Sequence, residues 1–255
     1  MKFRSKKWYL LSGVAMAIGA PAAFGGGVAI WSYQGNTGPD HWGDLAASWA
    51  VCGNGQYQSP IDISNGIDAD LGGVSTSIKA TPLAFGLDGP TFAVDYEPGS
   101  WLTLNGARYE LQQFHFHHPS EHTLNGKHFP MEGHIVLKQE GVDHANAVMG
   151  VFIEAGSTNS MLGQFWNTLP RSNKKDIAGV NVNVGDLLPE DRHFYMYEGS
   201  MTTPGCPQGV RWFVLEEPVE ASQAQIDTFI NDLTQGDINN RPIQPLYGRA
   251  ILKGN

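Results

Sequence analysis

Four histidines fall within eight residues of the segment LQQFHFHHPSEHTL, in a chain that contains only nine. The stretch YELQQFHFH is typical of a β-strand, in which alternate side chains point to the same face. This alternation puts Leu111, Gln113, His115 and His117 on one face and Gln112, Phe114 and Phe116 on the other. Two imidazoles on one strand face can bind a single metal ion, although a lone His-x-His pair is more often a packed or surface feature. We expect His118 and His122 to pack or to form local hydrogen bonds.

The next strand supplies a candidate third ligand. Asn125-Gly126 predicts a chain reversal, after which MEGHIVLK runs back with Glu132, His134 and Val136 on one face. Because antiparallel neighbours lie about 5 Å apart, we expect His134 beside the first pair of histidines. Three neutral imidazoles without a fourth protein ligand leave one position open, which is the arrangement of catalytic rather than structural zinc.

A polar residue precedes two of the candidate ligands by the same interval. Gln113 lies two residues before His115, and Glu132 lies two residues before His134. Metal-bound histidines usually donate their other N–H to an oxygen, which fixes the tautomer. We therefore expect Gln113 and Glu132 to orient their neighbours, although either residue alone would also fit an ordinary strand position facing water.

The elements around the histidines are mostly short β-like stretches separated by turn signals. The clearest are TFAVDY, WLTLNG, YELQQFHFH, HIVLKQ, AVMGVFIE, HFYMYEG and VRWFVLEE. One helix is predicted after a capping-box pattern at Ser222 and Gln225, and another over residues 161–169, stopped by Pro170. The pattern predicts a mainly β (α+β) protein with a few peripheral helices, and 255 residues suit a single domain.

The charge of the chain restricts its partners. Its formal net charge is −9, and the twelve basic and twenty-five acidic residues after position 30 leave that part at −13. So acidic a domain repels phosphate backbones and anionic lipids, which excludes nucleic acid as a partner.

The N-terminus indicates export. Four basic residues are followed by an uncharged, mostly apolar run over residues 8–30, with a small-residue site at Ala20-Pro21-Ala22. The run is also long enough to span a bilayer uncleaved. We expect residues 1–30 to be a signal peptide or membrane anchor, residues 31–255 to be the functional domain, and its location to be periplasmic or extracellular. The membrane is a partner only if the segment stays uncleaved.

Two cysteines, Cys52 and Cys206, remain in the chain. In an exported protein an even count favours a disulfide, and two free buried thiols are the alternative.

Six motifs spread along the chain resemble the alpha-class carbonic anhydrases: QSPIDI, QFHFH, SEHT, MEGH, GSMTTP and RPIQPL. The resemblance extends from Trp31 to Leu246. It implies a single domain with a central twisted, mostly antiparallel sheet. It also implies reversible hydration of carbon dioxide to bicarbonate and a proton by attack of zinc-bound hydroxide. Cys52 and Cys206 match the disulfide positions of bacterial and extracellular members.

The resemblance implies a role for each matching residue. His115, His117 and His134 would be the zinc ligands, oriented by Gln113, Glu132 and a backbone carbonyl near Asn239. Thr202 would accept a hydrogen bond from the hydroxide and donate its own to Glu121, while Thr203 would contact bicarbonate. Tyr33 matches the family's cavity tyrosine. The apolar wall against which carbon dioxide rests would be formed by Val136, Val148, Met201 and Trp212.

One stretch departs from the family pattern. Fast members carry a proton-shuttling histidine where LDGPTFAV places Pro90, and two cavity asparagines appear as Asp88 and Ala93. Proline carries no proton. We therefore expect slower, buffer-dependent proton release, with Asp88 as a partial substitute.

Two other functions remain open at this point. The spacing of His115, His117 and Glu121 fits the first metal motif of cupins, although Tyr109 stands where cupins want glycine. A non-catalytic carbonic-anhydrase-like binding module is the second alternative, despite the complete ligand set. The oligomeric state, monomer or homodimer, is not indicated.

Overall fold

The computed structural model describes residues 29–88, 91–166 and 175–254. The predicted export segment up to residue 28, Pro90 and the end of the predicted helix over 161–169 lie outside the described residues. The strands are β1 (Asp62–Ile63), β2 (Ile67–Ala69), β3 (Ser75–Ser77), β4 (Thr81–Asp88), β5 (Thr91–Asp95), β6 (Trp101–Leu104), β7 (Ala107–His117), β8 (Thr123–Leu124), β9 (Met131–Gln139), β10 (Ala147–Ala155), β11 (Lys175–Val182), β12 (Phe194–Ser200), β13 (Gln208–Leu215), β14 (Val219–Ala221) and β15 (Leu252–Gly254). The α-helices are α1 (Trp42–Leu45), α2 (Val51–Asn54), α3 (Ser160–Phe165) and α4 (Gln223–Thr228). Short 3₁₀ turns cover Gly35–Thr37, Pro39–His41, Ala47–Trp49 and Val184–Leu187, and a π-helical turn, Phe229–Leu233, follows α4.

One large mixed sheet dominates the described part of the chain, where it contains thirteen strands. Its main order is β11-β4-β5-β7-β9-β10-β13-β12-β15-β2, with β6 and β14 pairing to β7 and β10 and β3 pairing to β6. Most neighbours are antiparallel, and β10 pairs in parallel with β13 and β14, as β15 does with β2. The prediction of a mainly β fold with a mostly antiparallel sheet is confirmed.

Asparagine–glycine pairs make the reversals that the sequence indicates. Asn105 and Gly106, between β6 and β7, have φ of 47° and 70°, and Asn125 and Gly126, after β8, have φ of 52° and 77°. Two consecutive residues in the left-handed region suit tight hairpin turns, and asparagine and glycine adopt that region at least cost. The second reversal lies in the connection that returns the chain from β7 to β9, which pair antiparallel as predicted.

Strand β7 contains an irregularity that simple alternation misses. Its register against β9 shifts between Leu111 and Gln113. Leu111 consequently lies in the hydrophobic core with Phe114 and Phe116. The prediction that Leu111 shares the face of Gln113 and His115 was wrong, because an extra residue in one strand reverses the faces on either side of it.

The helices lie against this core. The capping box is present, with Ser222 accepting from the Gln225 amide and the Gln225 side chain accepting from the Ser222 amide. Among the described side chains of the apolar stripes of the two predicted helices, the core contains Met161, Leu162, Trp166, Ile226, Phe229 and Leu233, as expected. Among the described residues, no helix is long and apolar enough to cross a bilayer.

The predicted disulfide between Cys52 and Cys206 is present, across a sequence separation of 154 residues. It packs in a small cluster with Tyr33 and Trp42, so it ties α2 to the chain segment that follows β12.

Replacing both cysteines by serine is expected to lower the free energy of unfolding by about 2–4 kcal/mol, because the bond removes loop entropy from the unfolded chain. Urea unfolding of the oxidised protein and the double variant measures the difference. Wild-type protein treated with reductant is the matched comparison and should unfold like the variant. Identical midpoints for oxidised and reduced protein would contradict this expectation.

Candidate metal centre

Three histidines converge where β7 pairs with β9. His115 and His134 are directly opposite each other in the antiparallel register. The ring centroids lie 4.9 Å apart for His115 and His117, 5.2 Å for His115 and His134, and 4.5 Å for His117 and His134. One ring nitrogen from each lies within 4.8 Å of the other two. The structure therefore brings together the three residues that we predicted as ligands.

Each of these imidazoles is held from behind by one oxygen acceptor. The contacts are His115 Nδ1 to Gln113 Oε1 at 2.8 Å, His117 Nδ1 to the Asn239 carbonyl at 2.6 Å, and His134 Nε2 to Glu132 Oε1 at 2.9 Å. Because these oxygens accept, the contacting nitrogens carry the protons. The nitrogens left to bind a metal are Nε2 of His115, Nε2 of His117 and Nδ1 of His134.

These residues fit a zinc ion. Among the described residues, Nε2 of His117 is buried without a hydrogen-bond partner. A buried nitrogen lone pair without a donor is costly, and a metal ion would satisfy it. Three neutral imidazoles with acceptors behind them are the donor set of a catalytic zinc site.

The electrostatics favour the neutral, singly protonated form of His115 and His117. Burial lowers the pKa of His115 well below 6.5, and burial also lowers the pKa of His117. Burial opposes ionisation of Glu132, but His122 and His134 hold the pKa of that carboxyl well below 4.5. Burial lowers the pKa of His134, yet the charge and hydrogen bond of Glu132 raise it overall. Glu132 is thus a permanent buried anion beside one ligand.

Glu132 also binds a second histidine. Its Oε2 accepts from the His122 amide at 2.8 Å, and its Oε1 accepts from His122 Nδ1 at 2.8 Å. Gly150 faces His134 across the β9–β10 register, and a Cβ at Gly150 would lie 2.8 Å from Glu132 Oε1. A larger residue at position 150 would therefore clash with the Glu132 carboxylate and displace it.

His122 extends the network beyond the local bond that we predicted. Its Nε2 lies 2.6 Å from the Tyr197 hydroxyl, which lies 2.8 Å from the Ser59 hydroxyl. His122, Glu132 and His134 also present a possible metal cluster. Both ring nitrogens of His122 are hydrogen-bonded, however, so it supports the ligands instead of binding metal. The sequence signals that could have indicated this network are the place of His122 beside Glu121 in SEHT and that of Ser59 in QSPIDI.

The cluster opens into a cavity of about 100 Å³. Val148 lies opposite Val136 on β9 and opposite Trp212 on β13, so three adjacent strands form one wall. The cavity is lined by Ala93, Gln113, His115, His134, Val136, Val148, Met201, Thr202, Thr203 and Trp212. The five residues that we predicted to contact carbon dioxide or bicarbonate therefore line this cavity, together with Thr202, which we also expected to bind there.

The predicted catalytic residues Glu121 and Tyr33 do not line this cavity. Glu121 is buried, and its Oε1 accepts from the Arg241 amide at 2.7 Å. Its Oε2 has no hydrogen-bond partner among the described residues, so the bond from Thr202 stays a prediction. Tyr33 packs against Trp31 and lines a second cavity instead of this one. Its catalytic role also stays a prediction.

The molecule thus has a mainly β fold with a three-histidine centre beneath an apolar cavity, and its sequence and fold are similar to those of known proteins. A sequence model of the family described as eukaryotic-type carbonic anhydrase matches residues 37–255. A carbonic anhydrase from Nostoc sp. is 40% identical over 230 residues, which cover 88% of this chain and 85% of that protein.

Solved structures agree. A hyperthermostable carbonic anhydrase identified from an active hydrothermal vent chimney has a TM-score of 0.82 and 42% identity, covering 88% of this chain and 100% of that one. The alpha-carbonic anhydrase from Thermovibrio ammonificans, solved with the inhibitor sulfanilamide, has a TM-score of 0.82 and 40% identity, with 89% and 100% covered.

The chain belongs to the alpha-class, or eukaryotic-type, carbonic anhydrase family, and its enzyme class is carbonic anhydrase. The cupin alternative is therefore wrong. Its short motif spacing coincides with this site by chance, and it misassigned Glu121, whose Oε1 is bonded to the Arg241 amide.

Substituting Gly150→Ala is expected to weaken zinc binding by about 10- to 100-fold, because the new Cβ displaces the carboxylate that orients His134. Competition with a chromophoric chelator measures the zinc affinity. Gly163→Ala is the matched control, since its Cβ would meet only Gln225 Nε2 at 3.6 Å. Unchanged zinc affinity in Gly150→Ala would contradict the role of Glu132.

The zinc-free protein is expected to lose stability as the pH falls below about 6.5. His115 and His117 have a lower pKa in the folded than in the unfolded chain, so the unfolded chain binds more protons and acid favours it. The raised pKa of His134 opposes this trend, and Glu132 adds its own loss only below 4.5.

The substitution His115→Gln removes the group with the larger lowering of pKa, so its urea midpoint should fall less than that of wild type between about pH 7 and pH 5. His144→Gln, which alters an exposed histidine, should behave like wild type. If the urea midpoint of His115→Gln fell with pH as much as that of wild type, His115 would not be the cause of the acid destabilisation.

Proposed function

We propose that this chain hydrates carbon dioxide reversibly to bicarbonate and a proton, using a zinc ion held by His115, His117 and His134. Hydration of carbon dioxide is the general reaction of the family to which the chain belongs. The observation that carries the zinc mechanism is the convergence beneath the cavity of three imidazole nitrogens, one from each ring whose other nitrogen is bonded to an oxygen acceptor. The open side of such a site accommodates water and substrate.

Bound zinc would lower the pKa of its water to about 7, a value for which carbonic anhydrase is itself the standard example. The chain positions that water. Thr202 lines the cavity, where we propose that its hydroxyl accepts from the attacking water and donates to Glu121. Glu121 Oε2 accepts no hydrogen bond from the described residues, which supports this arrangement because a buried carboxylate oxygen needs a donor.

The cavity wall suits an uncharged, linear substrate. Val136, Val148, Met201 and Trp212 offer carbon dioxide an apolar surface, since the one donor among their side chains, Trp212 Nε1, already donates to the Ser200 carbonyl at 2.9 Å. We propose that Thr203, on the same cavity, contacts the bicarbonate product. Met201 stands where leucine is commoner in the family, a change of shape that an apolar wall tolerates.

Proton release is proposed to depend on buffer. By the family resemblance, Pro90 falls where fast members carry the shuttle histidine, and Ala93, which lines the cavity, lacks the side-chain amide with which an asparagine would hold a water chain. Asp88 is our candidate for a partial substitute, and Tyr33 for a supporting role.

We also propose that the enzyme works outside the cytosol. The disulfide supports this location, because such bonds persist in oxidising compartments. The basic and apolar residues 1–30 would direct export, either as a cleaved signal or as a retained anchor.

Stopped-flow hydration of carbon dioxide by the zinc-loaded protein tests the function. Thr202→Val, which keeps the shape but loses the hydroxyl, is expected to lower kcat/KM by about 100-fold because the attacking water is misaligned. Thr202→Ser should retain most activity, and Thr228→Ala should retain all of it, because the Thr228 hydroxyl donates only to the Ala224 carbonyl within α4.

The same assay separates the alternatives. A kcat that rises with buffer concentration supports the missing shuttle, whereas fast turnover independent of buffer contradicts it. Zinc bound without any hydration would overturn the proposed function and favour a non-catalytic binding module.

A further inference from the structure

Arg241 is a buried arginine behind the metal centre that the mechanism so far leaves without a task. Its side chain is 1% exposed. Its guanidinium donates from Nη1 to the Ser59 carbonyl at 2.7 Å and from Nη2 to the Cys52 carbonyl at 2.8 Å. Its own backbone amide is the donor that holds Glu121 Oε1 at 2.7 Å.

A cation in this position is costly. Burial lowers the pKa of Arg241 to about 10, against the opposing charge of Glu121. Its guanidinium binds two neutral carbonyls, and Nε has no partner among the described residues. Well-packed apolar side chains commonly fill such space at lower cost. Bulk packing therefore does not explain an arginine here.

The two carbonyls belong to Cys52 and Ser59, which are bonded to the chain on either side of Thr202. Cys52 is bonded to Cys206, whose amide donates to the Thr203 carbonyl at 2.8 Å. The Ser59 amide donates to the Ser200 hydroxyl at 2.9 Å, and the Ser200 amide donates to the Ser59 hydroxyl at 3.1 Å. Both ends of the segment 200–206 are thus fastened to the groups that the guanidinium binds.

We propose that Arg241 is a positioning residue that fixes Glu121 relative to Thr202. Its guanidinium holds the backbone at position 241 to the Cys52 and Ser59 carbonyls, whose residues are bonded to the segment that contains Thr202. Its backbone amide holds Glu121 at that same position. This inference rests on the proposed function, because it needs Glu121 and Thr202 to act as a pair on the attacking water.

The test compares Arg241→Met and Arg241→Lys with a matched arginine. Arg249 also donates to three backbone carbonyls, those of Glu198, Pro245 and Leu246, and none of these bonds involves Glu121. Per bound zinc, Arg241→Met is expected to lower kcat/KM for hydration by about 10- to 100-fold, and Arg241→Lys to recover part of the loss. Arg249→Met should stay within about twofold of wild type.

A double-mutant cycle separates positioning from general destabilisation. In a Glu121→Gln background, Arg241→Met is expected to cause little further loss, because both changes break the same unit. Amide hydrogen exchange on zinc-free protein gives a readout without activity. The amide at position 241 should exchange faster in Arg241→Met than in Arg249→Met.

Wild-type kcat/KM in zinc-loaded Arg241→Met, or losses that add in the double variant, would overturn the inference. If Arg241→Met does not fold, Arg241→Gln carries the same expectation, because its amide can reach only one of the two carbonyls. If Glu121→Gln and Thr202→Val both keep full activity, the pairing of Glu121 with Thr202 on which this inference rests is wrong, whereas zinc-loaded wild type without hydration would overturn the proposed function itself.

Discussion

The antiparallel register between β7 and β9 is the constraint on which the centre depends. It places His115 directly opposite His134, with His117 two residues further along the same face. A slip of one residue would turn one strand's ligands to the opposite side of the sheet, because side chains alternate. The core holds the register, since Phe114, Ile135 and Leu137 fill the other face of the same two strands.

The oxygen acceptors that orient the three ligand imidazoles include two neutral groups and one charged group. Gln113 and the Asn239 carbonyl hold two imidazoles without adding charge. Glu132 brings a buried anion, which the His122 amide and both neighbouring imidazoles satisfy. A buried carboxylate with several donors is stable, whereas one deprived of them is strongly destabilising. The space at Gly150 is therefore as much part of the site as the acceptor itself.

Sequence patterns could predict the features that depend on local chemistry. Alternation placed Glu132, His134 and Val136 together, and Asn125-Gly126 marked a reversal, because both follow from backbone geometry. The reversed face of Leu111 could not be predicted, since a bulge depends on packing against a partner strand. The roles of His122 and Arg241 were hidden for a similar reason: Tyr197, which contacts His122, and Cys52, which accepts from Arg241, lie far away in the chain.

Anomalous diffraction at the zinc edge, from crystals of the zinc-loaded protein, tests the central claim most directly. The account predicts one strong peak about 2.0–2.1 Å from Nε2 of His115, Nε2 of His117 and Nδ1 of His134, with no fourth protein ligand. A peak between His122 and Glu132, or a fourth protein side chain closing the coordination sphere, would contradict it.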